Sequence, residues 1–223
     1  MSELFRHLRA AVAGAQCEAW VRGVYEARDS WVHDFRGAQH SLGRAWYTHL
    51  EQERANEYFA RAKESDALVE RFCPNLQKTM RDLASKVVEA PVIQRAGWCG
   101  AGVHVFPADG LCAKRGGDIH FDDDGLTPAD KSDRAPAFTL VLMLQPAERG
   151  GGLKVWDVLF RGSNAYEDAD LDRPFAIADY ARGDLVAMNS YRLHQIEPFE
   201  GAADRISATL HTAYVAGEWE SWF

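Results

Sequence analysis

Residues 183–211 read GDLVAMNSYRLHQIEPFEGAADRISATLH, a stretch that combines strand and turn signals with candidate site residues. A Gly-Asp turn leads into an apolar run, and a second short run carries His194. Pro198 and Phe199 then mark a corner before a longer strand begins. Short apolar runs bounded by Gly, Asp and Pro are typical of β-strands. The stretch therefore predicts a strand–turn–strand unit that presents His194.

The last strand of this stretch separates its residues into two faces, because side chains alternate along a strand. Ile206 and Leu210 belong to the apolar face. The polar face comprises Arg205, Ser207, Thr209 and His211. An exposed polar face is the usual explanation in an antiparallel sheet. Arginine and serine two apart also suit a bound carboxylate, so the face could instead line a cavity.

A His-x-Asp motif lies upstream at His120-Phe121-Asp122. In a strand, His120 and Asp122 would project to the same side. The motif alone is weak, because an exposed histidine in an acidic turn gives the same pattern. Together with His194, it supplies two imidazoles and one carboxylate, the ligand set of an open Fe(II) site. We therefore interpret the three residues as candidate metal ligands.

Outward from these motifs, the chain divides into a helical part at 1–90 and a strand-rich part at 91–223. One apolar stripe at helical spacing comprises Leu68, Phe72, Leu76, Met80, Leu83 and Val87. Pro74 is expected to begin a new helix. Residues 1–20 are interpreted as an amphipathic helix of the mature protein. The helices are expected to pack on one sheet of a single domain, 1–223.

The second part predicts a β-sandwich or barrel, since short strands recur between turn signals. The expected strands are Gly102–Phe106, Asp118–Phe121, Phe138–Gln145, Gly152–Asp157, Pro174–Ile177, Asp184–Asn189, Leu193–Glu197 and Asp204–Val215.

Composition restricts the classes of function. The 223 residues are 47% hydrophobic and 26% charged, with a formal net charge of −8. This acidity argues against a nucleic-acid partner, and no apolar run is long enough to suggest a membrane span. The four cysteines have no zinc-site spacing. They are expected to be reduced thiols of a cytoplasmic protein, with two disulfides as the alternative.

The ordered motifs resemble those of the Fe(II)/2-oxoglutarate-dependent oxygenases, over roughly 102–214. The resemblance depends on the His-x-Asp motif, the Gly-Gly turn and strand at 151–156, His194 after Gly-Asp-Leu-Val, and Arg205-x-Ser207. More narrowly, the chain resembles the prolyl-hydroxylase-like branch, which includes small-molecule hydroxylases and amino-acid halogenases.

This resemblance implies a mainly β fold, a double-stranded β-helix or jelly roll like that of the cupins, buttressed by N-terminal helices. His120, Asp122 and His194 would hold Fe(II), while Arg205 and Ser207 would bind 2-oxoglutarate. With O₂, the enzyme would hydroxylate an unactivated C–H bond and release succinate and CO₂, with ascorbate as an optional stimulant. Because Asp122 fills the position that is a small residue in the halogenases, hydroxylation is expected rather than halogenation. Desaturation, ring formation and epoxidation stay open as alternatives.

The expected substrate is a small molecule, a free amino acid or related metabolite, and a peptidyl residue is the main alternative. The candidate substrate residues are His104, Asp118, Trp156, Asn189, Arg192, Thr209 and His211. The aromatic C-terminal residues Trp219, Trp222 and Phe223 would cover the pocket, mediate dimerisation or pack on the barrel. The protein is expected to be a monomer or homodimer.

The same motifs are compatible with two other classes of protein. A cupin-like metal protein that uses no oxoacid would keep the three ligands without needing Arg205 and Ser207. A non-enzymatic binding domain of the same fold would keep the ligands without turnover.

Overall fold

The computed structural model describes residues 4–223, which form strands and helices in a mixed order. The strands are β1 (Phe5–Leu8), β2 (Val32–Asp34), β3 (Gln39–Leu42), β4 (Val92–Gln94), β5 (Gly102–Phe106), β6 (Ala137–Gln145), β7 (Arg149–Gly150), β8 (Leu153–Leu159), β9 (Phe175–Ala178), β10 (Leu185–Asn189), β11 (Arg192–Ile196), β12 (Phe199–Glu200), β13 (Arg205–Val215) and β14 (Glu218–Trp222). The α-helices are α1 (Gly14–Glu26), α2 (Trp46–Glu51), α3 (Ala55–Ala60), α4 (Ala62–Phe72), α5 (Leu76–Val88), α6 (Leu111–Arg115), α7 (Pro128–Ser132) and α8 (Asp168–Leu171).

The strands form a major sheet and a smaller minor sheet. The major sheet has the order β1-β10-β6-β13-β5-β3-β2, and β14 pairs with both β13 and β4. The minor sheet has the order β11-β8-β9, while β12 pairs with β7. Most of the pairing is antiparallel, as in a jelly roll. This architecture confirms the mainly β fold with helical buttresses.

Helices α1, α4 and α5 cover one face of the major sheet. Trp20, Val69 and Met80 from these helices pack in one core with Leu140 and Ile206 from the sheet. Burying an apolar side chain of this size contributes roughly 1.5–3 kcal/mol. The helical stripe and the apolar face of β13 therefore meet each other, as the sequence predicted. The opposite face of the sheet remains available for the site.

The crossing of α1 with α4 explains why a glycine stands inside α1. A Cβ atom on Gly23 would lie 1.7 Å from the carbonyl oxygen of Phe72. No side chain fits that distance, so the two helices approach each other through backbone. The predicted break near Pro74 also occurs, because α4 ends at Phe72 and α5 begins at Leu76.

The expectation that residues 1–90 are helical is partly wrong. Three strands, β1, β2 and β3, lie within this part and join edges of the major sheet. Residues 5–8 are a strand rather than the start of an amphipathic helix, because their backbone pairs with β10. Sheet edges supply hydrogen-bond partners that outweigh the local preference of a short segment. Met1–Glu3 lie outside the described residues.

The predicted strand Asp118–Phe121 is also wrong. This segment is an extended loop that makes a single bridge, between His120 and His194. β11 already pairs with β8 along its other edge, and its register is irregular between Arg192 and His194. The loop therefore pairs with β11 at a single position and does not form a ladder of strand hydrogen bonds.

All four cysteines are buried and unpaired, so the prediction of reduced thiols holds. Across residues 4–223, no helix combines the length and the apolar character needed to cross a bilayer.

Candidate active site

A cavity of about 410 Å³ lies between the two sheets. Arg205 and Thr209 line it from the major sheet, and Leu153 and His194 line it from the minor sheet. The polar face of β13 thus lines a cavity, which is one of the two alternatives that its residue pattern allowed.

His120, Asp122 and His194 converge on one point of this cavity. The backbone of His120 exchanges two hydrogen bonds with that of His194, of 3.1 and 3.0 Å. The Asp122 amide donates to the Ser190 carbonyl at 2.9 Å. One ligand atom from each of the three side chains lies within 4.8 Å of the others. Backbone pairing therefore fixes the positions of the candidate ligands before any ion binds.

The imidazole rings also have a defined orientation. Nδ1 of His120 lies 2.7 Å from the Asp118 carbonyl, and Nδ1 of His194 lies 3.0 Å from the Arg192 carbonyl. A carbonyl only accepts, so each Nδ1 carries a proton and each Nε2 is the nitrogen that faces Asp122. Both Nε2 atoms lie 3.3 Å from the Asp122 carboxylate. Backbone carbonyls commonly orient metal-binding histidines in this way.

The electrostatics of this cluster favour positive charge at its centre. Burial alone would lower the pKa of His120, but the hydrogen bond and charge of Asp122 raise it to about 9. Burial acts against ionised Asp122, yet His194 and His120 hold the pKa of its carboxyl well below the usual range. The cluster therefore attracts a proton or a metal ion to the same point, and the two compete.

Arg205 lies in the same cavity and is almost completely buried, with 1% of its surface exposed. Its Nε donates to the Gly151 carbonyl at 2.9 Å, and Nη1 lies 3.4 Å from Ser207 Oγ. Nη2 is buried without a partner. The rings of Phe106 and Tyr180 flank the guanidinium at 5.5 and 5.6 Å. Among the described residues, no carboxylate forms an ion pair with it.

The Gly-Gly turn noted in the sequence supports this arginine. Gly151 has a positive φ of 72°, a conformation that glycine adopts without a steric penalty. Its carbonyl accepts the hydrogen bond from Arg205 Nε. The turn therefore orients the guanidinium and leaves its outer nitrogen free for a ligand.

Four of the predicted substrate residues line the cavity, namely His104, Asp118, Thr209 and His211. His211 stacks on Trp222, and its Nδ1 lies 3.1 Å from Thr139 Oγ. Asp118 is exposed at the entrance side of the loop that carries His120. These residues surround the space next to the three candidate ligands.

The other three predicted substrate residues do not line the cavity, and each has a structural role. Trp156 is buried in a separate apolar cluster and donates to the Leu171 carbonyl. Asn189 accepts from the Tyr191 amide in the turn after β10. Arg192 pairs with Asp157 at 2.7 Å. Side-chain alternation places Trp156 on the side of β8 opposite Leu153 and the cavity. Arg192 lies two residues before His194, but the strand register is irregular between them, and its side chain pairs with Asp157 instead.

The sequence analysis missed the cavity residues from the N-terminal part. Phe35, Gln39, Trp46, Tyr47 and Glu51 all line the cavity. They lie in the segment from the end of β2 to the end of α2, which contains no motif that would identify a site. Trp222 also lines the cavity, whereas Phe223 packs on Gly102 and His104. The C-terminal aromatics therefore pack on the barrel, and one of them forms part of the pocket wall.

Comparison with solved structures identifies similar folds at low sequence identity. The non-heme α-ketoglutarate-dependent epimerase SnoN from nogalamycin biosynthesis is 13% identical over 94% of this chain and 77% of its own, with a TM-score of 0.61. An N-substituted L-amino acid dioxygenase from Burkholderia ambifaria is 16% identical over 95% and 83%, with a TM-score of 0.56. A prolyl hydroxylase from Trichoplax adhaerens is 13% identical over 93% and 82%, with a TM-score of 0.55.

These likenesses establish that the chain has the fold of the Fe/2-oxoglutarate-dependent oxygenases, as the motifs predicted. Neither a protein-family model nor a curated protein matches the sequence. The three similar proteins differ in reaction, so the fold leaves the chemistry of this chain to its own residues.

Proposed function

We propose that the chain is an Fe(II)- and 2-oxoglutarate-dependent dioxygenase that hydroxylates a small molecule, a free amino acid or related metabolite. The observation that carries the proposal is Arg205, a buried cation without an anion, in the same cavity as a His-Asp-His cluster. A permanently charged guanidinium is costly to bury without a partner. A ligand carboxylate would provide that partner.

The three candidate ligands fit an iron ion by their chemistry. Two neutral imidazoles and one carboxylate on one side of the metal are typical of non-heme Fe(II) sites, which keep other positions open. His120, Asp122 and His194 would hold the ion, and the carbonyls bonded to the two Nδ1 atoms would keep both Nε2 atoms directed at it.

Arg205 and Ser207 fit the far carboxylate of 2-oxoglutarate. The free Nη2 is available for a charge-assisted hydrogen bond, and Ser207 Oγ is a further donor beside it. The second carboxylate of 2-oxoglutarate and its keto group would then face the metal. In a cupin-like protein that uses no oxoacid, the buried Arg205 would have no anionic ligand to bind.

Bound iron would supply the oxidising chemistry with O₂ and 2-oxoglutarate as co-substrates, and succinate, CO₂ and the hydroxylated substrate would be the products. The chain's own residues hold the co-substrate, orient one C–H bond and limit access of water. Asp122 fills a ligand position that a halogenase would leave for a halide, which favours hydroxylation. The cavity of about 410 Å³ is near the small end of ligand pockets, which supports a small substrate.

Anaerobic titration of the purified chain with Fe(II) and 2-oxoglutarate tests this proposal. Bidentate binding of an oxoacid to Fe(II) gives a weak visible charge-transfer band, which should develop only when both are added. Arg205→Met should require a much higher 2-oxoglutarate concentration for the same band. Iron binding without any band would contradict the proposal and favour a metal protein of another class.

A further inference from the structure

We propose that the substrate carries a protonated amine, which the Glu51 carboxylate binds at the mouth of the cavity. This inference deepens the proposed function and rests on it. It commits to a small molecule that carries an ammonium group, such as the amine of a free amino acid, rather than one without a cationic group.

The first argument is the charge of the cavity lining. Besides the candidate ligand Asp122, the lining contains Glu51, Asp118 and Asp124. Among the lining residues that the structure describes, Arg205 is the only lysine or arginine. In the loaded site, the charges of Fe(II) and Arg205 would balance those of Asp122 and 2-oxoglutarate. No further lysine or arginine of the lining would balance the other three carboxylates, so the remaining ligand is expected to bring positive charge.

Glu51 is the best placed of these carboxylates. It is the last residue of α2, and within residues 4–223 it forms no ion pair. It is close enough to His120 and Asp118 for their charges to act on it. Helix α2 is anchored at its other end, where the Trp46 amide donates to the Phe223 carbonyl at 2.8 Å. A carboxylate on a fixed element can orient a ligand near the candidate metal ligands.

His104 provides a second, independent observation. Its ring lines the cavity and is only 4% exposed, and its Nδ1 is buried without a hydrogen-bond partner. Burial lowers the pKa of His104 to about 4, so the ring is neutral near pH 7 and one nitrogen can accept a hydrogen bond. A buried polar atom without a partner is uncommon in a folded protein. An N–H donor on the ligand would satisfy it.

Aromatic side chains complete a surface suited to a cation. Phe35, Trp46 and Tyr47 line the cavity from the segment that ends in Glu51, and Trp222 lines it from β14. Aromatic faces attract ammonium groups, most strongly where water is excluded. A carboxylate ligand would gain nothing from these rings and would be repelled by Glu51.

Calorimetric titration of the full chain, loaded with Mn(II) and 2-oxoglutarate, tests the charge of the ligand. The probes are putrescine and cadaverine, with the neutral diols of the same chain lengths as matched controls. At least one diamine should bind about ten-fold more tightly than its diol, the factor expected for one charge-assisted hydrogen bond. Equal affinities, or no binding of either diamine, would overturn the proposal.

The variant Glu51→Gln tests the residue. It keeps the size of the side chain and should weaken diamine binding about ten-fold while leaving diol binding as it was. Glu64→Gln, an exposed acid on α4 outside the cavity, is the control and should change neither. Unchanged diamine affinity in Glu51→Gln would reject Glu51 as the binding group.

Titration of the Mn(II)-loaded wild-type chain with 2-oxoglutarate alone separates the two proposals. If 2-oxoglutarate does not bind, the proposed function fails. If 2-oxoglutarate binds but the diamines and diols do not differ, only the proposed substrate class fails.

Discussion

Arg205 combines a permanent positive charge with almost complete burial, and the protein leaves one of its nitrogens unpaired. The hydrogen bonds to Gly151 and Ser207 and the flanking aromatic rings offset part of the cost of desolvating the guanidinium. No described carboxylate offsets the rest. Such an arrangement sacrifices stability of the free protein for affinity toward an anionic ligand.

This reasoning predicts opposite effects of Arg205→Met on stability and binding. Without ligand, the free energy of unfolding in urea should stay the same or rise by about 1–3 kcal/mol, because an unpaired buried charge is replaced by an apolar chain. The affinity for 2-oxoglutarate should fall by at least about 100-fold, as for loss of a buried charge pair. Arg192→Met, outside the cavity, is the control for binding. A strongly destabilised Arg205→Met would show that the arginine is structural.

The proposed metal site depends most directly on Asp122. Asp122→Ala should abolish iron-dependent succinate formation, since it removes the only carboxylate of the cluster. The fold should persist, because the hydrogen bond to Ser190 uses the backbone amide of Asp122. The circular dichroism spectrum and the turnover of Asp122→Ala should be compared with those of Asp157→Ala, a control that alters an acid outside the cavity. Full activity in Asp122→Ala would remove the metal assignment.

The residues that could be predicted from sequence share a property: their spacing encodes their geometry. Period-two alternation placed Arg205 and Thr209 on the cavity side of β13. Trp156 was predicted wrongly, because nothing in the sequence states which side of its strand faces the cavity. Arg192 was predicted wrongly, because a register irregularity separates it from His194. Glu51 could not be predicted, since it approaches the cavity through a helix that only tertiary contacts position.

Among the elements, β1 shows how a short N-terminal strand is held in the major sheet. Asp184, in the turn before β10, accepts hydrogen bonds from Arg9 at 2.7 Å, His7 at 3.0 Å and the Ala10 amide at 2.9 Å. Burial would raise the pKa of this carboxyl, but the Ala10 and Ala181 amides, with Arg9 and His7, lower it to about 2. The ionised carboxylate therefore fastens the segment after β1 to the sheet.

The lowered pKa of Asp184 predicts that this carboxylate contributes to stability in a pH-dependent way. A carboxyl with a pKa lowered from 3.8 to about 2 stabilises the folded state above pH 3.8, by about 2 kcal/mol. That stability is lost as pH falls toward the folded pKa, with about half remaining near pH 3. Asp184→Asn should thus unfold more easily than wild type in urea near neutral pH, and the difference should shrink in acid. Asp168→Asn, an exposed acid, is the control. A difference independent of pH would assign the effect to packing instead of charge.

Strands flanked by clear turns were the predictable elements. Gly102–Phe106 was exact, and the six predicted strands between 138 and 215 were correct within two residues at each end. The short strands β4, β7, β12 and β14 were not predicted. The errors came from segments whose structure depends on a distant partner. β1 is a strand because β10 offers an edge, and Asp118–Phe121 is not one because β11 offers only a single position.

At the scale of the whole molecule, the candidate site bridges two layers. Arg205 and Ser207 belong to the major sheet, and His194 belongs to the minor sheet. His120 and Asp122 lie on the loop between α6 and α7. A metal with 2-oxoglutarate would connect all three parts. Ligands that bind only the folded state raise its stability by mass action.

The bridging site predicts stepwise stabilisation of the entire fold. Mn(II) alone should raise the melting temperature, and 2-oxoglutarate should raise it further only when the metal is present. At about 100 times its dissociation constant, each ligand adds about 2.7 kcal/mol, or about 5–10 °C for a chain of this size. Calorimetry of Arg205→Met should show the increment from Mn(II) but not that from 2-oxoglutarate, because the metal ligands are intact and the carboxylate anchor is lost. If 2-oxoglutarate raised the melting temperature equally in the wild type and in Arg205→Met, its binding would not depend on Arg205. The co-substrate would then bind elsewhere.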